Sequence, residues 1–318
     1  MAALVVSHPG MLTLLQDLGR LGAAEQGISQ GGALDLHAAC WANYLVGNGA
    51  EAPVLEVTLG QAQFTATNDC VFVLTGAEMQ ATLDGEPVVT WQSGIMRQGQ
   101  TLKLGFARHG LRAYLAIQGG FHVPTVLGSC ATVVRNQLGG LAQGQPLVAS
   151  DRVPFKGMDI ELQDRTDSPH IRLPHIPPRF VPDYAASITL RVVESYQAAH
   201  FQPLEKAKFY ASHYTVTQET DRMGCRLDGE PIQCEVEGII SEGIAQGSIQ
   251  IPPNGQPIVL LNDRQTLGGY PKLGCVARVD LPRLAQARPG TKVHFQPGNL
   301  EALTEEWQQF SRFFALPF

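Results

Sequence analysis

The run Asn262-Asp263-Arg264-Gln265-Thr266 gathers a carboxylate, a guanidinium, two amides and a hydroxyl immediately before Leu267-Gly268-Gly269-Tyr270-Pro271. It leaves the apolar run Pro257–Leu261, which reads as a strand. A guanidinium in such a loop can hold a carboxylate through its planar fork, while a nearby carboxylate orients it or takes a proton. The run is not a standard phosphate loop, because its glycines precede Tyr-Pro-Lys and not Lys-Ser/Thr at a helix start. Gly268 and Gly269 are expected to take positive φ, with Tyr270-Pro271 fixing an extended exit.

Two further clusters have the same character. Between Gly10 and Asp35, Gln16, Asp17 and Arg20 are bracketed by Gly19 and Gly22. Asp17 and Arg20 either pair with each other or share the work of holding and orienting a substrate carboxylate. Thr220–Gly229 sets Arg222 and Arg226 around Gly224. The familiar nucleotide, nucleophile-elbow and zinc motifs do not occur, and no Met-Lys-Met type lysine is present to carry biotin. Cys40, Cys70, Cys130, Cys225, Cys234 and Cys275 form no C-x-x-C pair and no metal-like spacing with histidines. They read as reduced, mostly buried thiols of a cytosolic protein, with no metal site.

The elements that must position these clusters are mostly strands. Val54–Thr67 alternates apolar and polar residues, Val71–Gly76 is a short buried-type run, and Ala81–Val89 carries Asp-Gly at a hairpin position. Pro253-Asn254-Gly255 marks a turn between two more strands. Four helices are expected. The first follows Asp35 as cap and stops at Gly47, with Leu36, Cys40 and Tyr44 on one face. The second runs from Tyr196 through Ala211, and the third is Leu-Pro-Arg-Leu-Ala-Gln-Ala from Leu281. The last is capped by Asn299 and has an apolar stripe of Leu300, Leu303, Trp307, Phe310 and Phe314.

A chain of 318 residues, 44% apolar and 16% charged, has ample material for a core and suits two domains or one large β assembly. The proline-rich stretch Ser168–Asp183 divides it into an N-terminal β-barrel-like domain over 1–165, a connection over 166–183, and a C-terminal β-barrel domain over 184–318. Leu83–Val88 recurs as Leu227–Ile232, a faint sign of duplication. A net charge of −6 without basic runs argues against nucleic acid. No apolar stretch approaches a membrane span, and Met1–Gly10 does not read as a signal peptide, so the expected location is the cytoplasm.

Gly10, Thr13, Gln16, Asp17, Gly19, Arg20 and Gly22 stand at the spacing of the opening signature of the allophanate hydrolase subunit 2 family, which the chain resembles. The resemblance continues through Gly27, Gly32-Ala33-Leu34-Asp35, Leu45–Asn48, Leu74–Ala77, Gly119-Gly120 and Leu127–Ser129. In the second half it takes in Asp221–Leu227, Gly247 with Ile249–Pro252, and, most specifically, Asn262–Pro271. Where the family usually has Ser-Asn before Arg-Met-Gly-Tyr, this chain has Thr220-Asp221 and Cys225. The family includes the biotin-dependent carboxyltransferase half of urea amidolyase and one component of the bacterial 5-oxoprolinase.

The resemblance implies a mainly β chain with a few helices, arranged as tandem cyclophilin-like β-barrel units. It also implies partners: a smaller, kinase-inhibitor-like protein, related to the kinase A inhibitor, and a lactam-hydrolase-like protein. The first activity implied is ATP-dependent opening of 5-oxoproline to glutamate, with ATP in a shared or unconventional site. The alternatives are a biotin-dependent carboxyltransfer to urea or a related amide, and a regulator that only binds the kinase-inhibitor-like partner. On the first reading the catalytic set is Asp17, Arg20, Asp263 and Gln265. Substrate contacts fall to Gln16, Asp35, Arg222, Arg264, Thr266, Gly268, Gly269 and Tyr270.

Overall fold

The computed structural model describes residues 2–157 and 174–317, so the first part of the expected proline-rich connection lies outside the described residues. The chain divides into two compact units, with the second beginning at Ala185. The division is not strictly sequential. Residues 21–30 belong to the second unit, and residues 314–317 to the first.

The first unit contains β1 (Ala3–Pro9), β2 (Leu12–Gln16), β3 (Val54–Thr58), β4 (Ala62–Ala66), β5 (Cys70–Glu78), β6 (Thr82–Leu83) and β7 (Glu86–Pro87). It continues with β8 (Ser93–Met96), β9 (Thr101–Lys103), β10 (His109–Ile117) and β11 (Arg152–Pro154). They form two sheets, in the orders β11-β1-β4-β9-β6-β7 and β2-β3-β10-β5-β8. The alternating stretch from Val54 splits between them, β3 entering the second sheet and β4 the first. Side chains of both sheets, among them Leu4, Phe64, Leu102, Leu55, Phe72 and Leu115, meet in one buried cluster. The Asp-Gly hairpin forms as its residue types require, with φ of 50° at Asp84 and 95° at Gly85.

Helix α1 (Leu36–Leu45) packs on β5 and β10, which are therefore covered on both faces. That is why Cys70–Ala77 is an uninterrupted buried run, where a half-exposed strand would alternate. Asp35 caps α1 by accepting from the Ala38 N–H at 2.9 Å, worth about 1 kcal/mol. The face expected of Leu36, Cys40 and Tyr44 is corrected: the helix is buried nearly all round, and Tyr44 is 52% exposed.

The second unit is built on a closed barrel of β12 (Ile188–Glu194), β13 (His213–Val216), β14 (Gly224–Asp228), β16 (Ser248–Gln250), β17 (Ile258–Leu260), β19 (Lys272–Val276) and β20 (Lys292–Pro297). Its strand order is β12-β19-β16-β17-β14-β13-β20, and β12 closes on β20 in parallel. Outside it stands a two-stranded flap of β15 (Glu242–Gly243) and β18 (Leu267–Gly268). Pro252–Gly255 forms the expected turn, closed by Gly255 N–H to Pro252 O at 2.8 Å. The helix expected over 196–211 is broken. A 3-10 turn ends at His200, and α2 (Pro203–Ala211) restarts at Pro203, because proline restricts the residue before it and lacks an N–H. Phe209 of α2 stacks on Phe295 at 4.6 Å.

Helices α3 (Leu281–Ala285) and α4 (Leu300–Phe313) complete this unit. Arg191 ties them to β12: it binds Asp280, just ahead of α3, in a two-point contact and Glu306 of α4 at 2.7 Å. Asn299 caps α4 through the Ala302 N–H, but the stripe is narrower than expected, since Leu300 is 61% exposed. The LDGEPI recurrence is one of sequence alone. Leu227 and Asp228 end a barrel strand, and Gly229 then exchanges hydrogen bonds with Gln256 in place of turning back on itself.

Gly76 marks the bulge where β5 meets β10. At φ +82°, a Cβ there would stand 2.4 Å from the Arg112 carbonyl oxygen, which is backbone and cannot yield. Gly76→Ala is expected to cost about 3 kcal/mol in denaturant titration, and a loss below about 1 kcal/mol would show that the bulge relaxes.

Candidate functional site

In the first unit the polar residues of the opening signature are committed to holding a loop. The Asp17 carboxylate accepts from the Gly19 N–H at 2.7 Å, the Ser129 hydroxyl at 2.6 Å and the Cys130 N–H at 2.8 Å. Arg20 is 1% exposed and donates to the carbonyls of Val126, Ala131 and Ser129. Gln16 donates to Thr132 O at 3.0 Å and accepts from Gly32 N–H at 3.0 Å. Such a set stitches residues 126–132 to the start of the chain, and a guanidinium so enclosed has no open face for a substrate. Asp35 is equally occupied, with its second oxygen accepting from Tyr184 at 2.8 Å. It lies in a buried network where Tyr114 donates to Glu56 at 2.8 Å. These positions carry structure, which corrects their expected roles.

The second unit separates its candidates in the same way. Arg222 and Asp263, both nearly buried, form a two-point ion pair at 2.9 and 3.0 Å. Asp263 is therefore a neutralised carboxylate and not an open base, and Arg222 is not an open cation. The pair is continued in the backbone by Asp263 N–H to Arg222 O at 2.9 Å. Ser29 then donates to the carbonyls of Asp263 and Arg264.

Beyond Asp263 the loop presents polar side chains with few partners among the described residues. Arg264 is half-buried, and its guanidinium donates only to the carbonyls of Ile244, at 3.0 Å, and Leu261, at 3.2 Å. It makes no ion pair among the described residues. Burial first, and then the nearby Arg264, draw the Arg278 guanidinium down to about 10. Burial likewise lowers Arg264 from the ordinary arginine value. The Arg278 guanidinium also sits over the Trp307 ring at 4.2 Å. Gln265 and Thr266 are half-buried, and their side chains make no hydrogen bond among the described residues.

Gly268 and Gly269 are glycine for a reason other than the one expected, since neither has positive φ. A Cβ on Gly268 would stand 2.3 Å from Ile244 Cδ1 and 2.8 Å from Gln250 Nε2. A side chain at 268 would have to push aside the tips of Ile244 and of Gln250 on barrel strand β16, which glycine avoids. Tyr270, 43% exposed, faces an open groove of about 760 Å³ shared with Arg226, Asp228 and the turn Pro252–Asn254.

Sequence reasoning missed one cluster. Lys272, 6% exposed, holds Glu242, which also accepts from Tyr196 and from Gln197 Nε2 at 2.8 Å. Gln197 Oε1 in turn accepts the Lys272 backbone N–H at 2.9 Å. The signal available was a single lysine after Tyr-Pro; its partners lie 30 and 75 or more residues away. The cysteine thiols are raised by burial, Cys70 to about 12 and Cys275 to about 11, which suits packed groups and not nucleophiles. Among the described residues no group of three or more His, Cys, Asp or Glu could hold a metal ion. No described helix is long and apolar enough to cross a membrane.

Residues 26–297 match the family model of the carboxyltransferase domain, subdomain A and B, and the chain belongs to that family. It is 38% identical to the C subunit of 5-oxoprolinase from Escherichia coli, over 98% of this chain and 96% of that protein. The protein of the same name in Haemophilus influenzae is 36% identical, over 90% of this chain and 88% of its own length. Urea amidolyase of Saccharomyces cerevisiae is 28% identical over 94% of this chain but only 17% of its own length. A crystal structure of TTHA0988 superposes with a TM-score of 0.79 at 34% identity, over 93% of this chain and 56% of that one. The urea amidolyase of K. lactis shares the fold, with a TM-score of 0.86 at 24% identity, over 97% of this chain and 20% of that one.

Two outcomes are expected at this site. Asp263→Leu strands the buried Arg222 charge and should cost about 3 kcal/mol, whereas Arg222→Met combined with Asp263→Leu should recover most of it. Strict additivity of the two changes would show that the pair is not coupled. For Glu242, Lys272 first and the Tyr196 hydroxyl second hold the carboxyl below its usual range. A depressed carboxylate adds stability above its unfolded pKa and loses it as pH falls through the folded value. Glu242→Gln should therefore lower Tm at neutral pH, and the gap to wild type should close below about pH 4. A gap unchanged at low pH would remove the charge from the account.

Proposed function

We propose that this chain is the C-type component of an ATP-consuming, multi-subunit enzyme that opens 5-oxoproline to glutamate, and that its 264–270 loop holds the substrate. The observation that carries this reading is Arg264, a half-buried guanidinium with no ion-pair partner among the described residues, set in the loop that most specifically marks the family. A partly dehydrated cation without a counter-ion is costly to maintain and strongly favours an anionic ligand. The substrate's carboxylate meets that need, and likeness over nearly full length to two proteins named as C subunits of 5-oxoprolinase supports the choice.

A lactam is a resonance-stabilised amide, so its opening needs the carbonyl oxygen phosphorylated, which makes the carbon a better electrophile for water before the ring C–N bond breaks. ATP supplies the phosphoryl group for that when bound. For ATP the chain offers the neighbouring cations Arg264 and Arg278 and no standard nucleotide loop, and a site shared with a companion protein fits that. Within this chain, Arg264 binds the carboxylate, Gln265 and Thr266 orient the ring, and the flap over the barrel keeps water away. Ile240, 94% exposed, and Leu267, 60% exposed, lie in and beside the flap as apolar surface that a companion protein would cover.

The test is co-purification with the kinase-inhibitor-like and lactam-hydrolase-like partners, followed by ATP hydrolysis with and without 5-oxoproline. Stimulation by 5-oxoproline is expected, and its absence in the full complex would sink the reading. Arg264→Lys keeps the charge but loses the fork, and should raise KM about tenfold with little change in Tm.

A further inference from the structure

Gln250 is a buried amide whose donor has no acceptor. It lies on barrel strand β16, is 2% exposed, and its Nε2 makes no hydrogen bond among the described residues. Leaving such a group dry and unpaired costs its full desolvation, so a residue type this polar at a barrel position calls for a reason. The amide points at the flap, its Nε2 being the atom that a Cβ on Gly268 would approach to 2.8 Å.

Its cross-strand partner on β19 is Lys272, just past a register shift between Ile249 and Gln250. The Lys272 ammonium has three donors, and Glu242 is its sole side-chain acceptor among the described residues. Gln250 Nε2 therefore lies under Gly268, while the Lys272 ammonium meets the flap at Glu242, the register partner of Gly268. The ligand chemistry follows from charge. Glu242 already balances Lys272, so a second carboxylate would bring uncompensated negative charge, whereas a neutral carbonyl oxygen adds an acceptor at no such cost.

We propose that Gln250, beside Lys272, is the binding site for the substrate's amide carbonyl oxygen, closed by the flap of β15 and β18. The proposal rests on the 5-oxoproline reading above and divides the substrate between two places: the carboxylate on Arg264 and the lactam oxygen on Gln250. Both border Ile244, whose carbonyl takes Arg264 and whose side chain meets Gly268. An amide oxygen has two lone pairs. Gln250 Nε2 engages one and fixes the ring plane, while the other stays available for activation. Entry requires the flap to lift, because Nε2 has no solvent access when it is down. Gly268 then lets the flap settle back over the bound oxygen.

The experiment uses the complex with its companion proteins and 5-oxoproline labelled with carbon-13 at the lactam carbonyl, followed by difference infrared spectroscopy. In wild type the carbonyl band is expected to move to lower wavenumber on binding. Gln250→Met matches the side chain in shape and removes its donor, so it should abolish that movement and weaken binding about tenfold. Its Tm should be unchanged or higher, since no structural hydrogen bond is lost. Retention of the band shift in Gln250→Met overturns the proposal while leaving the 5-oxoproline reading intact. A steep fall in Tm, or failure to fold, also overturns it, because the amide would then be structural. Absence of any 5-oxoproline binding in wild type overturns the functional reading itself, and this proposal with it.

Discussion

The buried pair of Arg222 and Asp263 is the interaction on which the site of the second unit depends. Taking two charges out of water costs several kcal/mol for each ion, and the attraction between them repays this only when the geometry is good. Here both carboxylate oxygens meet guanidinium nitrogens, and the backbone of Asp263 bonds back to Arg222 as well. The net stabilisation of such a pair is small; what it supplies is uniqueness. Meeting both charges at two points restricts the paths open to a loop leaving β17. Ser29 adds two further bonds to the carbonyls of Asp263 and Arg264, so the residue after the pair leaves at a fixed angle.

That constraint separates two kinds of polar residue that look alike in a sequence. Arg20, Arg222 and Arg264 each sit in a glycine-bearing motif of the same family signature. Arg20 is enclosed by three carbonyls, Arg222 by a carboxylate, and Arg264 by two carbonyls with part of its surface open. The difference lies in what surrounds each guanidinium and not in the residue. A recurrent arginine is therefore weak evidence for ligand binding until its partners are counted.

Much of the architecture was legible from local pattern. The Asp-Gly and Pro-Asn-Gly turns, the Asp35 and Asn299 caps and the strand-rich character all follow from interactions within a few residues. The misses are where distant contacts decide. Helix α1 gave up its expected stripe because sheet and loop residues cover it on nearly all sides, and the stretch from Tyr196 broke because Pro203 imposes a restart. The LDGEPI recurrence failed because Gly229 found Gln256 as a partner. The cluster of Lys272, Glu242, Tyr196 and Gln197 was invisible for the same reason, since no short window holds more than two of its members.

The glycine pair shows how a correct residue choice can be explained by the wrong physics. Gly268 and Gly269 read as conformational residues, chosen for positive φ, yet both lie in ordinary backbone regions. For Gly268 the reason is close packing: a methyl group there would press on the side-chain ends of Ile244 and Gln250. A positive-φ glycine answers a backbone requirement and a close-approach glycine answers a neighbour beneath it; Gly76 meets both, and Gly268 only the second. What lies beneath Gly268 is the Ile244 side chain and, beside it, an amide nitrogen that makes no hydrogen bond among the described residues. A close approach that only packed the flap would be better served by an apolar residue at position 250, since Leu or Met fills the same volume without an unsatisfied donor. The pairing of a side-chain-free residue above with an unsatisfied donor below is therefore better explained by a ligand than by packing.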